Sequence, residues 1–211
     1  MLVPSSSTKE WLEKASLRYH EQLTPAAVEY LTGPDRGLTE ETIERFRLGV
    51  VDDPLPGHEG YRGRIVIPYL TNYGVTTLRF RKLGGDEKYK YLSLPGDPSR
   101  IFNPAELEKG HRSICVSEGE FDCMVAMQCD LPCIGIPGVD HWDPILAILL
   151  SPYEHVFLLQ DAGDAGQQMA DRMAKELRHN LRPIVMGDDD TTSFFLQHGR
   201  DGLRNKVIGN G

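Results

Sequence analysis

From residue 113 onward, short apolar runs alternate with amphipathic stretches. This alternation constrains the fold of the 211-residue chain more than any other feature. Ser113–Ser117 (SICVS), residues 133–136 (CIGI), residues 155–160 (HVFLLQ) and residues 182–186 (RPIVM) have the length and composition of buried strands. Residues 121–129, 141–150, 165–179 and 193–198 read as the helices between and after them. Strands separated by helices cannot close tight hairpins, so the order predicts a mostly parallel sheet flanked by helices.

The first half has a different pattern. Ser7 and Thr8 offer caps for a helix to about residue 20, and Thr24-Pro25 opens a second helix with proline at its first position. Thr39 caps a third, with Gly49 as its stop. After a Pro/Gly-rich stretch at 52–60, residues 64–70 and 75–83 flank an Asn72-Tyr73-Gly74 turn and predict a hairpin. Side chains alternate along a strand, so Arg79 and Arg81 share one face and form a platform for anions. The expected organisation is therefore α/β throughout: a smaller, basic α+β subdomain over residues 1–110, then the parallel-sheet domain over 111–211.

Net charge hides this division. Residues 61–100 carry eight basic and three acidic side chains, a net +5, which leaves −13 for the rest of a chain that totals −8. One basic block in an acidic chain fits a phosphate-binding face. No apolar run approaches the ~20 residues of a membrane span. The first residues lack the basic and apolar regions of a signal peptide, so a cytoplasmic protein is expected. Cys115, Cys123, Cys129 and Cys133 are spaced C-x7-C-x5-C-x3-C without a close pair, so buried reduced thiols are expected and no zinc site.

Three of the predicted strands run into acid: Glu118-Gly119-Glu120-Phe121-Asp122 after the first, Asp161-Ala162-Gly163-Asp164-Ala165-Gly166 after the third, and Gly187-Asp188-Asp189-Asp190 after the fourth. Ligands of open α/β sheets bind beyond the carboxyl ends of the strands. Acid after a single strand often reflects only a polar loop or a helix N-terminus. Three such ends on neighbouring strands form a cluster that needs cations, and Mg²⁺ held by carboxylates and substrate phosphates points to phosphoryl or nucleotidyl transfer. Gly119 reads as a tight turn beside the acids, and Gly166 as a site of close helix–sheet packing.

Glu118-Gly119-x-x-Asp122 after a strand, an Asp-x-x-x-Ala-Gly element and a third acidic loop together resemble the TOPRIM domain. The upstream residues narrow the resemblance to the RNA polymerase core of DnaG-like bacterial and phage primases. They are Tyr30-Leu31, the Arg36-to-Gly49 segment RGLTEETIERFRLG, the Gly63-to-Pro68 segment GRIVIP, the strand ending in Arg81, and the Lys90-to-Pro95 segment KYLSLP. These elements occur in the family's order over residues 20–205.

The resemblance implies a compact phage-type core that copies single-stranded DNA into short RNA primers from ribonucleoside triphosphates, with Mg²⁺ or Mn²⁺. By the same resemblance Glu118 matches the active-site glutamate, with Asp161 beside it in catalysis. Glu118, Asp122, Asp161 and Asp190 match the metal-binding acids, with Asp164 as a further candidate. Arg36, Arg81 and Lys90 match residues that grip template or nucleotide, and Arg79, on the same strand face as Arg81, is a further candidate for that role. The family's zinc ribbon and helicase-binding region have no counterpart in these residues, so either this is an excised core or those functions sit on other chains, a replicative helicase or a separate zinc-ribbon protein. The chain departs from the pattern at Gly163, where an aspartate is usual, at Thr191-Thr192, where an acid or amide is usual, and at Asn103-Pro104, where a lysine is usual. These departures keep two other readings open: a TOPRIM nucleic-acid-binding module with an impaired site, and a TOPRIM nuclease.

Overall fold

The computed structural model describes residues 4–84, 89–136, 142–177, 179–187 and 190–209. The chain forms two compact units, Met1–Pro98 and Ser99–Gly211. The division falls before residue 110 because Phe102 exchanges backbone hydrogen bonds with Gly135, and a 3₁₀ turn at Pro104–Glu108 belongs to the second unit.

The first unit opens with α1 (Ser6–Glu21), capped by Ser5, whose hydroxyl accepts the Thr8 N–H at 3.2 Å; the cap lies two and three residues before the expected Ser7 and Thr8. Leu12, Ala15, Ser16 and Tyr19 recur at helical spacing and form its buried face. Helix α2 (Pro25–Thr32) is capped by Thr24, and α3 (Glu40–Arg45) by Thr39, both as the sequence predicts. Gly49 does not end α3, which stops at Arg45. Instead Gly49 begins β1 (Gly49–Val50), and a side chain there would collide with the Tyr19 carbonyl at 2.5 Å. Strands β2 (Ile65–Thr71) and β3 (Gly74–Arg81) form the predicted hairpin, and β4 (Tyr91–Ser93) completes an antiparallel sheet in the order β1-β2-β3-β4. One face of this sheet, including Val66, Leu78 and Phe80, packs on Leu12, Ala15 and Tyr19 of α1.

The second unit is the predicted parallel sheet. Its strands are β5 (Ser113–Ser117), β6 (Cys133–Gly135), β7 (His155–Gln160) and β8 (Leu181–Val185), in the order β6-β5-β7-β8, and every pairing is parallel. The crossovers carry α4 (Glu120–Gln128), α5 (Pro144–Leu150) and α6 (Asp164–Glu176). Ile114, Val116, Ile134, Val156 and Leu158 of the sheet pack with Leu146, Leu150, Met169 and Met173 of α5 and α6. The last helix, α7 (Thr191–Ile208), runs ten residues past its expected end at residue 198. Gly199 (φ 69°) breaks its axis there without ending it. The expected start of α5 at His141, the acids Asp188 and Asp189, and Asp86, Glu87 and Lys88 of the basic block lie outside the described residues. All four cysteines are buried, as expected of core thiols. Among the described residues, no helix is long and apolar enough to cross a membrane.

Candidate functional site

The three acid-terminated strands β5, β7 and β8 lie side by side. Ser117 registers with Leu159, so the chain leaves β5 at Glu118 and β7 at Asp161 on one edge of the sheet. Helix α6 approaches this edge closely at Gly166: a Cβ there would lie 2.1 Å from the Asp161 carbonyl oxygen and 3.1 Å from Glu118 Oε1. The sequence reading of Gly166 as a packing glycine therefore has a geometric cause. Gly119 has a different role from the expected turn. Its φ of −122° is ordinary extended backbone, and the missing Cβ makes room for the Asp122 carboxylate, 2.5 Å from where that atom would be.

Glu118, Asp122 and Asp161 are thus gathered at one edge. Burial pushes the Glu118 carboxyl above its ordinary range; the Asp161 backbone N–H opposes this, and the neighbouring Asp122 charge adds to it. Glu118 Oε1 is buried without a hydrogen-bond donor among the described residues. Asp122 is 7% exposed, and its Oδ1 accepts two bonds from Thr192, from the backbone N–H at 3.0 Å and the hydroxyl at 2.7 Å. Thr192, which stands where the family pattern has an acid or amide, thus holds one of the predicted acids. Asp190 caps α7, accepting the Ser193 N–H at 2.7 Å. Asp164 is the exposed first residue of α6.

Gly163 has φ 91° and ψ −172°, a conformation essentially confined to glycine. Nothing lies within 4 Å of where its Cβ would stand, so backbone, not space, excludes the family's aspartate there. Asn103, at the expected lysine position, adopts φ 56° and donates to the Cys133 carbonyl at 2.8 Å, a conformation and a bond that suit asparagine.

Among the described residues, no three His, Cys, Asp or Glu side chains group closely enough to cage an ion. The donor set fits a Mg²⁺ ion that arrives with substrate phosphates, since such ions need only one or two protein carboxylates and keep several waters. The buried Glu118 Oε1, lacking a donor, is suited to that cation.

The predicted basic residues lie in the first unit. Arg79 and Arg81 do share a face, but Arg81 is only 6% exposed and Arg79 is half-buried, so the open platform expected from alternation is instead a tyrosine-bound cluster. Tyr91, opposite Arg81 on β4, has the two guanidinium carbons 4.7 Å (Arg79) and 4.9 Å (Arg81) from its ring centre. Tyr30 of α2 accepts from Nε of both Arg81, at 2.8 Å, and Arg36, at 3.0 Å. Lys90 is exposed. Sequence reasoning missed these tyrosines as part of the site. The signal was Tyr91, two residues before Ser93 on a strand that places it beside the arginines.

No family model matches the sequence. The Gene 57 protein of Mycobacterium phage D29 is 35% identical over 153 residues, covering 70% of this chain and 99% of the phage protein. The chain belongs to the same family as that phage protein. The fold of this family member is that of DnaG-type primase catalytic domains. It superposes on the zinc-binding and RNA polymerase domains of Aquifex aeolicus primase with a TM-score of 0.79, at 20% identity over 99% of this chain. The chain spans 62% of that structure's length. The RNA polymerase domain of Mycobacterium tuberculosis DnaG gives 0.78 at 20% identity, covering 97% of this chain and 84% of that one. The primase fragment of the bacteriophage T7 primase–helicase protein gives 0.64 at 19% identity, covering 81% and 71%.

Proposed function

We propose that this chain is the RNA polymerase core of a DNA primase, joining ribonucleotides on a single-stranded DNA template by nucleotidyl transfer. The observation that carries the reading is Glu118 and Asp161 emerging from adjacent parallel strands, within a fold that follows DnaG-type catalytic domains along almost the whole chain. One of those solved catalytic domains is bound to single-stranded DNA.

In this reading the carboxylates of Glu118 and Asp161 would hold Mg²⁺ or Mn²⁺. The metal supplies charge neutralisation at the transferring phosphoryl group. Glu118, half-buried and with its carboxyl raised by burial, also accepts the proton of the attacking 3′-hydroxyl. Asp122, held by Thr192, contributes negative potential and fixes the start of α4 relative to α7. Arg36, Arg79, Arg81 and Lys90 bind phosphates of template or nucleotide. A replicative helicase or a separate zinc-ribbon protein is the kind of protein partner this reading implies.

A second reading, a nucleic-acid-binding module with reduced catalysis, draws support from Gly163 and from the commitment of Asp122 and Asp190 to hydrogen bonds within the fold. One experiment separates the two: ribonucleotide incorporation on single-stranded DNA with Mg²⁺ and with Mn²⁺, comparing the chain with Glu118→Gln. Template-dependent incorporation, lost in a folded Glu118→Gln variant, is the expected result. Oligonucleotide binding without incorporation at any metal concentration favours the binding module, and equal incorporation by Glu118→Gln removes that residue from the chemistry.

A further inference from the structure

Five side chains from three elements of the first unit and the segment after α2 form a continuous path: Arg36, Tyr30, Arg81, Tyr91 and Arg79. Tyr30 accepts from Nε of Arg36 and of Arg81 at once. Arg81 donates through Nη1 to the Tyr91 hydroxyl, and the Tyr91 ring carries the guanidiniums of Arg81 and Arg79 within 5 Å of its centre. The Arg36 guanidinium also lies 5.4 Å from the Tyr30 ring centre. We propose that Tyr30 and Tyr91 are positioning residues that set the guanidiniums of Arg36, Arg81 and Arg79 as one array for the phosphates of the bound nucleic acid or nucleotide.

The chemistry favours this role over simple packing. A phenol oxygen orients a guanidinium without cancelling its charge, whereas a carboxylate in the same place neutralises it. The Tyr30 bonds use Nε, which fixes the plane of each guanidinium. The ring of Tyr91 attracts both cations through its negative face, so it draws together two like charges that repel each other. Arg81, almost fully buried, is the link through which Tyr30 and Tyr91 act on each other, while Arg36 and Arg79 remain half-exposed. Three orientated cations suit a ligand with several closely spaced negative charges, which phosphodiester and triphosphate groups both supply.

This inference rests on the nucleic-acid reading above, and its test is built to fail separately. Binding of a labelled single-stranded oligodeoxythymidylate is followed by fluorescence anisotropy across a salt series, with ATP as competitor in a second arm. Tyr30→Phe is expected to weaken binding about tenfold and to reduce the salt slope by roughly one phosphate contact. Tyr91→Phe, which keeps the ring, is expected to fall between wild type and Tyr91→Leu. Tyr61→Phe is the control: it loses a comparable hydroxyl bond in the same unit, to the Ser93 carbonyl at 3.1 Å, and is expected to bind as wild type does. Arg81→Lys combined with Tyr30→Phe is expected to lose less than the two single losses added, because Tyr30 acts in part through Arg81 and in part through Arg36. A loss in the oligonucleotide arm assigns the array to template, and a loss in the ATP arm assigns it to the incoming nucleotide; either supports the role. Wild-type affinity and salt slope in Tyr30→Phe overturn the positioning role and leave the primase reading standing. A wild-type chain that binds neither ligand at low salt overturns both.

Discussion

Gly166→Ala links stability to the site in one atom. The added methyl would lie 2.1 Å from the Asp161 carbonyl oxygen, so carbonyl and helix must part by about 1 Å to reach the 3.0 Å that real contacts keep. The obstacle is backbone, which yields less readily than a flexible side chain, so the cost falls toward the upper end of overpacking, about 3 kcal/mol. Alanine's better helix propensity returns about 1 kcal/mol. The net loss of about 2 kcal/mol predicts a fall in melting temperature of roughly 4–8 °C for a chain of this size. The same displacement moves Asp161 against Glu118, whose Oε1 lies 3.1 Å from the new methyl, and an error of ~1 Å in such a site costs about 10²-fold in rate. Thermal melting and ribonucleotide incorporation measure the two effects. Gly163→Ala is the paired variant: open space surrounds it, so it carries only the backbone strain of φ 91°, about 1–3 kcal/mol, and perturbs stability more than rate. A Gly166→Ala protein with wild-type melting and wild-type rate refutes the close-approach argument.

Thr192→Val keeps the backbone bond to Asp122 but removes the hydroxyl. It should cost about 1–3 kcal/mol by chemical denaturation, with Thr192→Ser close to wild type. In the metal-free protein the Glu118 carboxyl should titrate above its ordinary value of 4.5, because burial raises it, and added Mg²⁺ should lower it; carboxyl NMR across a pH series reads both, and a metal-free carboxyl at or below 4.5 contradicts the burial argument. His58 predicts a pH effect on stability. The Tyr19 hydroxyl, which accepts the Leu55 N–H, bonds His58 Nδ1 at 2.8 Å, and burial lowers the imidazole below 6.5, opposed weakly by Glu59. The unfolded chain then binds the proton more readily, so this contribution is complete above pH 6.5. It falls as pH drops below that value, by at most about 1.4 kcal/mol per pH unit. Urea midpoints from pH 7.5 to 5 should show this decline, and His58→Gln should flatten it.

The parallel half of the fold was legible because buried strands write themselves as apolar runs bounded by polar turns: Ser113–Ser117 and His155–Gln160 match the sequence reading to the residue. Thr24 and Thr39 announced their helices because a hydroxyl cap works within three residues. Where several hydroxyls lie in a row, as at Ser5, Ser6, Ser7 and Thr8, nothing local selects among them. Gly49 misled as a helix stop, and Gly199, one residue past the expected end of the last helix, did not end it either. Glycine marks a special backbone, but its cause, a helix packed close by or a kink, is tertiary. At the site, strand ends placed Glu118 and Asp161, whereas the bonds of Asp122 depend on Thr192, seventy residues away. Alternation put Arg79 and Arg81 on one face; that this face is buried among tyrosines depends on α2 and β4, which no local pattern relates.

All four cysteines belong to the second unit, between residues 115 and 133, and the first unit has none. Burial pushes the thiols of Cys115 and Cys123 well up, and that of Cys129 to about 11, so in the folded protein they hold little of the thiolate that reacts. Alkylation kinetics of the native chain therefore time the opening of the sheet that carries Glu118, and the arginine–tyrosine unit gives no signal. The unmodified protein thus carries its own reporter on one half, able to register ligand protection of that half without any introduced label.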